Sequence, residues 1–212
     1  MKGLRLFWSF MKSSSAEILE NKNVYVSSFI ALVVLGNIET FFPSMGVVTE
    51  STLAIVLTVA ATLVTFIILS KVVLIQKQNH GGVGELKYFV PTFLLYNLYY
   101  SFLFFAGLLL FVIPGFYILI YYAMVPFVAV LDDENEGSFF SESKRLVKKN
   151  ISLVAWASLI NLIIEFSALL FSPIDNLVVK GIANFLFSIP DAFITLVMTV
   201  ATVKVYYYLK KS

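Results

Sequence analysis

Three acidic residues, Glu39, Glu165 and Asp191, lie inside long apolar stretches of this 212-residue chain. A charged side chain at the centre of a bilayer costs about 2.5–3.5 kcal/mol on insertion scales, so such residues usually face a bundle interior or a water-filled cavity. There they could transfer protons or bind a cation. Apart from Lys180, which is predicted nearer the surface, no Lys or Arg is expected at their depth. We therefore expect each carboxyl group to be protonated, hydrogen-bonded to an asparagine, or in contact with water.

Small and polar residues accompany two of these carboxylates at helical spacing. Asn161 precedes Glu165 by one turn, and Asn184 precedes Asp191 by two turns. Intervals of three and four residues place each set on one face of a helix. One interpretation is a packing face, on which small residues let helices approach and polar ones hydrogen-bond across. The other is a polar cavity for a substrate. Together with Glu39, these four residues form the candidate intramembrane polar site.

The composition requires a membrane around these residues. The chain is 59% hydrophobic and 13% charged, with a mean hydropathy of +0.90, whereas soluble domains are about 45–50% apolar and about 25% charged. A spanning helix needs about 20 mostly apolar residues, and this rule predicts six of them. They lie near Val24–Phe42, Thr52–Ile75, Phe89–Val112, Gly115–Leu131, Ile151–Phe171 and Gly181–Tyr208. The predicted fold is a single all-α domain, a bundle of six transmembrane helices.

The basic residues fix the expected orientation. Of 15 Lys and Arg residues, only Lys180 is predicted on one side of the six-span bundle. All the others are predicted on the opposite side. The positive-inside rule places the basic side in the cytoplasm. The sequence therefore predicts a multi-pass protein of a bacterial plasma (inner) membrane, with both termini cytoplasmic.

Two amphipathic segments are predicted on the cytoplasmic surface, at about residues 4–19 and 138–149. In the second, apolar side chains occupy one helix face and basic ones the other. A basic face of this kind can bind anionic lipid head groups, although an elbow helix obeying the positive-inside rule would look the same. The candidate lipid contacts are Lys144, Arg145, Lys148 and Lys149.

Several kinds of chemistry are not expected. The chain has no cysteine and a single histidine, His80, which excludes thiolate and multi-histidine metal sites. The acidic run at 132–137 resembles the start of a calcium loop, but Ser143 stands at the twelfth position where a glutamate is required. The net charge of +2 predicts no nucleic-acid partner. We expect no cofactor, no metal and no enzymatic activity.

Short motifs in the second half of the chain resemble one family of bacterial membrane proteins. They are Phe111–Tyr117, Val125–Phe127, an acidic loop leading into Ser138–Asn150, Pro190, and the Tyr-rich ending Val205–Lys210. The family is the membrane domain of glycerophosphoryl diester phosphodiesterases with its stand-alone relatives. The phosphodiesterase domain itself has no counterpart here, so the resemblance implies a six-helix inner-membrane protein without an assigned activity or catalytic residues.

Three functions are compatible with this sequence. The first, ranked slightly ahead because no broken helix pair is evident in both halves of the chain, is a non-enzymatic scaffold or regulator of envelope or lipid-handling partners. The second is a small transporter or lipid-moving protein that uses the polar faces of the fifth and sixth spans. The third is an intramembrane enzyme. The expected partners are the phospholipid bilayer and either a membrane protein or a second copy of the chain.

Overall fold

The computed structural model describes residues 2–37, 47–82, 84–132, 137–170 and 177–212. These residues form helices and no strand. The helices are α1 Lys2–Glu20, α2 Lys22–Gly36, α3 Val47–Asn79, α4 Leu86–Leu110, α5 Val112–Tyr121, α6 Val125–Leu131, α7 Phe139–Lys149, α8 Ile151–Leu170 and α9 Leu177–Lys211.

Several of these helices are suited to a bilayer. In the described part of the chain, four helical stretches are long and apolar enough to cross a membrane, and counting each of two sharply bent helix pairs as one span gives up to six. The four are Val59–Asn79, Leu86–Leu110, Val112–Leu131 and Phe185–Lys211. The prediction of an all-helical fold is confirmed for these residues, and the apolar helices are compatible with a membrane bundle.

Both segments expected to be amphipathic are separate helices that turn sharply into the helix that follows. α1 meets α2 at 102°, and α7 meets α8 at 108°. At the second bend the Asn150 side-chain oxygen accepts a hydrogen bond from the Leu153 N–H at 3.2 Å, which satisfies a free donor at the start of α8. Acidic Glu142 in the first turn of α7 and basic residues in its last turn complement the helix dipole.

The main hydrophobic core lies at one end of the bundle, which we call the base: α1, α6 and α7 together with the adjoining ends of α3, α4, α8 and α9. Phe7, Val73, Leu146 and Tyr206 are fully buried there, and such side chains each contribute roughly 1.5–3 kcal/mol on burial. Gly3 lets α1 approach the backbone of α8, since a Cβ there would collide with Ser152. The base therefore fixes the helix ends relative to one another.

Lysine side chains cross-link the base by donating hydrogen bonds to carbonyl groups near helix ends. Lys77 is 4% exposed, and its Nζ donates to the Val130 carbonyl in the last turn of α6 at 2.9 Å. Lys149 Nζ donates to the Leu209 carbonyl near the end of α9 at 2.8 Å. A cation is favourable at a helix C-terminus, so these contacts explain how a buried lysine is tolerated.

The segment predicted as a single span over Gly115–Leu131 consists of two helices in the structure. α5 ends at Tyr121 and α6 begins at Val125, because Pro126 has no N–H and its ring would clash with the carbonyl four residues earlier. The Tyr121 carbonyl at the break accepts a hydrogen bond from Ser143 Oγ of α7 at 2.9 Å. The break is thus stabilised from outside by the amphipathic helix.

Candidate intramembrane cavity

A cavity of about 520 Å³ lies between α3, α4, the α5–α6 break, α8 and α9. Aromatic and aliphatic side chains make up most of its wall, among them Phe66, Phe104 and Phe127. Polar side chains project into it from four helices. They are Thr65, Asn97, Tyr100, Ser101, Ser158, Asn161, Asp191, Thr195, Thr199 and Thr202.

Helices α8 and α9 supply the polar residues that sequence spacing selected. Ser158 and Asn161 are about one turn apart on α8, and Asp191 and Thr195 are about one turn apart on α9. Because residues three or four apart share a helix face, each helix presents its polar stripe to the same space. Asn161 and Asp191, from the candidate polar site, therefore line one cavity.

The other members of that candidate site are not located here. Glu39 lies outside the described residues, as do the side chains of Glu165 and Asn184. Pro190, which precedes Asp191, lies inside α9, and α9 continues as one helix through it.

Ser188 of the same α9 stripe packs against another helix. Asn37 Nδ2 donates to Ser188 Oγ at 2.7 Å, and both side chains are buried. Ser188 Oγ also donates to the Phe185 carbonyl at 2.9 Å. This part of the stripe therefore joins α9 to α2 as a packing face, while the part from Asp191 onward faces the cavity.

Sequence reasoning missed the polar residues of α4. Asn97 and Ser101 are one turn apart with Tyr100 between them, and all three line the cavity. Asn97 Nδ2 donates to the Phe93 carbonyl at 2.8 Å, and Tyr100 Oη donates to the Leu119 carbonyl of α5 at 3.2 Å. The signal available in the sequence was an Asn and a Ser four residues apart, on one helix face, within a run of aromatic residues.

The charges of the cavity wall are asymmetric. Asp191 is acidic, and none of the described lining residues is Lys, Arg or His. A carboxylate beside hydroxyl, amide and aromatic groups can bind a cation or a hydrogen-bond donor. Among the residues described, no group of three or more His, Cys, Asp or Glu side chains could hold a metal ion.

A second polar cluster lies in the base and was not anticipated from the sequence. Glu17 of α1 accepts a hydrogen bond from Tyr25 Oη at 3.2 Å and another from Gln76 Nε2, and its Oε2 lies 2.8 Å from Lys204 Nζ. Burial alone would raise the pKa of Glu17, but the hydrogen bonds from Lys204 and Gln76 outweigh it, so this pKa lies below its ordinary value. We call this cluster the Glu17 network; it joins α1 to α2, α3 and α9.

The four candidate lipid contacts of α7 differ in their surroundings. Lys144 Nζ lies 5.6 Å from the centre of the Tyr117 ring, Arg145 makes two hydrogen bonds to Glu142 at 2.6 and 2.7 Å, and Lys149 binds the Leu209 carbonyl. Lys148 is exposed. Lys144, Arg145 and Lys149 thus have protein partners, which leaves Lys148 better placed than the other three for a head group.

The arrangement combines a ligand-sized space, a polar wall and, among the described lining residues, one carboxyl group. It can hold a small molecule with an apolar body and a polar or cationic group. No family model, curated protein or solved structure matches this chain.

Proposed function

We propose that this protein binds an amphipathic small molecule or lipid in its membrane cavity and moves it within or across the bilayer. The main support for this proposal is that the polar faces of α8 and α9 converge on one cavity of about 520 Å³. Ligand sites are typically clefts of about 300–1,000 Å³ with an apolar wall and a few placed polar groups. A bundle held together only by packing would fill this space with side chains.

The break between α5 and α6 borders the cavity. Ala123 and Met124 of the break, with Pro126 and Phe127 of α6, are among the lining residues. The sequence ranks a scaffold first because no broken helix pair is evident in both halves of the chain. One break, between Tyr121 and Val125, does not meet that criterion, so the preference for ligand binding rests on the cavity.

Asp191→Asn is expected to reduce ligand retention at least tenfold, because a hydrogen bond to a charged group contributes about 1.5–3 kcal/mol. The measurement is native mass spectrometry of the protein purified from its own membrane in mild detergent. Bound phospholipid or a small molecule is expected on the wild type and on Ser188→Ala, whose side chain packs against α2.

Two results would count against this function. Either the wild type retains no lipid or small molecule, or Asp191→Asn and Asn161→Ala retain as much as the wild type. In both cases the polar stripes would be a packing feature.

A scaffold or regulator of envelope or lipid-handling partners is the second candidate. Trp8 and Leu19 of α1 are 65% and 64% exposed, which a protein partner could cover. A stoichiometric partner in the same spectra, lost in Trp8→Ala and retained in Asp191→Asn, would favour it. We rank an intramembrane enzyme third, since no catalytic constellation is evident among the described side chains.

We further propose that the base faces the cytoplasm of a bacterial inner membrane. Its basic residues include Lys77, Lys149, Lys204 and Lys210, in keeping with the positive-inside rule. The resemblance to the membrane domain of glycerophosphoryl diester phosphodiesterases agrees with this location and stays a prediction.

A further inference from the structure

We infer that α4 and α5 form a re-entrant hairpin, which enters the bilayer from the base side and ends near its middle, where its apolar tip contacts lipid acyl chains. By length and composition both Leu86–Leu110 and Val112–Leu131 could cross a membrane. The inference rests on how deep the hairpin reaches from α7 and on what its tip is made of. It is independent of the proposed function.

Helix α7 marks the membrane surface on the base side. It meets α8 at 108°, so if α8 crosses the bilayer, α7 lies close to the membrane plane. Its polar face carries Glu142, Arg145 and Lys148, and the Arg145 side chain is 64% exposed. Charged, exposed side chains of this kind belong at the level of the head groups.

The C-terminal end of the α5 leg lies at the level of α7. Ser143 Oγ lies 2.9 Å from the Tyr121 carbonyl oxygen, and Lys144 Nζ lies 5.6 Å from the Tyr117 ring. The end of α5 is therefore near the membrane surface. The 10 residues of α5 rise about 15 Å, which is half of the roughly 30 Å hydrocarbon core.

The α4 leg gives the same depth. The ring of Phe139, at the start of α7, lies 5.0 Å from that of Tyr96, and the ring of Phe140 lies 5.4 Å from that of Tyr99. From Tyr99 to the end of α4 at Leu110, a helix rises about 17 Å. Both legs place the tip close to the bilayer midplane.

The composition of the tip agrees with that position. The whole segment Phe102–Phe116 contains no polar side chain, whereas turns at an aqueous surface favour Asn, Asp, Ser and other polar residues. The tip is also exposed in the protein: Leu109 by 88%, Ile113 by 82% and Phe111 by 74%. A fully apolar and exposed turn is suited to acyl chains and unsuited to water.

Part of the backbone at the tip is paired within the turn itself. Phe111 is the single residue between the two helices, and its N–H donates to the Gly107 carbonyl at 3.0 Å. The Gly115 N–H lies 3.4 Å from the Phe111 carbonyl, and Pro114 has no N–H. Such pairing is favourable because unpaired backbone N–H and C=O groups are costly in hydrocarbon.

A full crossing would conflict with α7. If the tip reached the far surface, α7 would lie about half a bilayer deep. The exposed Arg145 and the neighbouring Lys144 would then face hydrocarbon, where charged side chains are rarely found. A hairpin of half the bilayer height keeps these cations at the surface.

Cysteine labelling can test this depth, because the chain has no cysteine of its own. Ile113→Cys and Leu110→Cys would be made singly in the full-length protein and treated in sealed vesicles of either orientation. We expect a membrane-impermeant maleimide to label neither from either side, and a small membrane-permeant maleimide to label both after detergent is added. Ser212→Cys, beside the base, is the control for water access on one side.

A spin label on the same cysteines measures depth directly. We expect high accessibility to oxygen, low accessibility to a nickel chelate, and an apparent depth near the bilayer centre. Reaction of either cysteine with the impermeant maleimide, from either side, would overturn the inference. So would a spin-label depth at the level of the far head groups.

Discussion

Replacing Gly115 by leucine is expected to lower the free energy of unfolding by about 1–3 kcal/mol, the usual cost of overpacking a tight contact. A Cβ at Gly115 would lie 3.0 Å from the Leu108 backbone nitrogen and 2.5 Å from its side chain. A Cβ at Gly107 would meet the Gly115 backbone at 3.0 Å. Neither helix can yield by a simple rotamer change, so a larger side chain must separate α4 from α5.

The control for this substitution is Ile113→Leu, two residues away in the same turn. Ile113 is 82% exposed. We therefore expect Ile113→Leu to change the free energy of unfolding of the protein by no more than about 0.5 kcal/mol. Thermal unfolding in one detergent, followed by tryptophan fluorescence, compares the two. For a chain of this length, 1 kcal/mol corresponds to about 2–4 °C in Tm. Equal Tm values for Gly115→Leu and Ile113→Leu would show that the helices are not closely packed here.

The Glu17→Ala variant is expected to be less stable by about 1–3 kcal/mol, because it leaves buried hydrogen-bond donors without an acceptor. Gln76 is 1% exposed and donates to Glu17, while the Lys204 side chain is 19% exposed and pairs with it. Removing the acceptor while its donors stay buried costs more than losing a surface ion pair. Glu20→Ala, an exposed carboxylate on the same helix, should be close to neutral.

The contribution of Glu17 should also depend on pH. Its pKa is lowered in the folded protein, so the folded state binds a proton less readily than the unfolded state does. The stabilisation is therefore fully present above the ordinary pKa of 4.5, and it is lost as pH falls through the lower folded value. The Tm difference between wild type and Glu17→Gln should shrink in acid. A difference that stays constant from about pH 7 to about pH 3 would contradict the lowered pKa.

The apolar segments could largely be anticipated from the sequence, whereas the helix breaks could not. Long apolar runs predict spanning helices because every backbone group must be paired in lipid, and the amphipathic pattern of 138–149 matches α7 at Phe139–Lys149. The break before α6 was missed because the apolar run is continuous across it. Pro126 was the visible cause, since a proline in a helix interior removes a backbone hydrogen bond and clashes with the preceding turn, although α9 accommodates Pro190.

The sequence identified those members of the candidate site whose polar side chains stand out within an otherwise apolar helix. Asn161 and Asp191 stand out by helical spacing, and both line the cavity. The polar residues of α4 were harder to recognise, since Tyr100 lies in a run of aromatic residues that suits lipid equally well. The Glu17 network could not be foreseen, because its members come from α1, α2, α3 and α9 and only the tertiary fold brings them together.

A hairpin that ends inside the bilayer also simplifies how the chain is inserted. The turn at Phe111 would never have to pass through the membrane into water on the far side. The insertion machinery could then release α4 and α5 sideways into lipid as a single apolar unit. Assembly of this protein should therefore depend less on the machinery that moves polar loops than its number of apolar segments suggests.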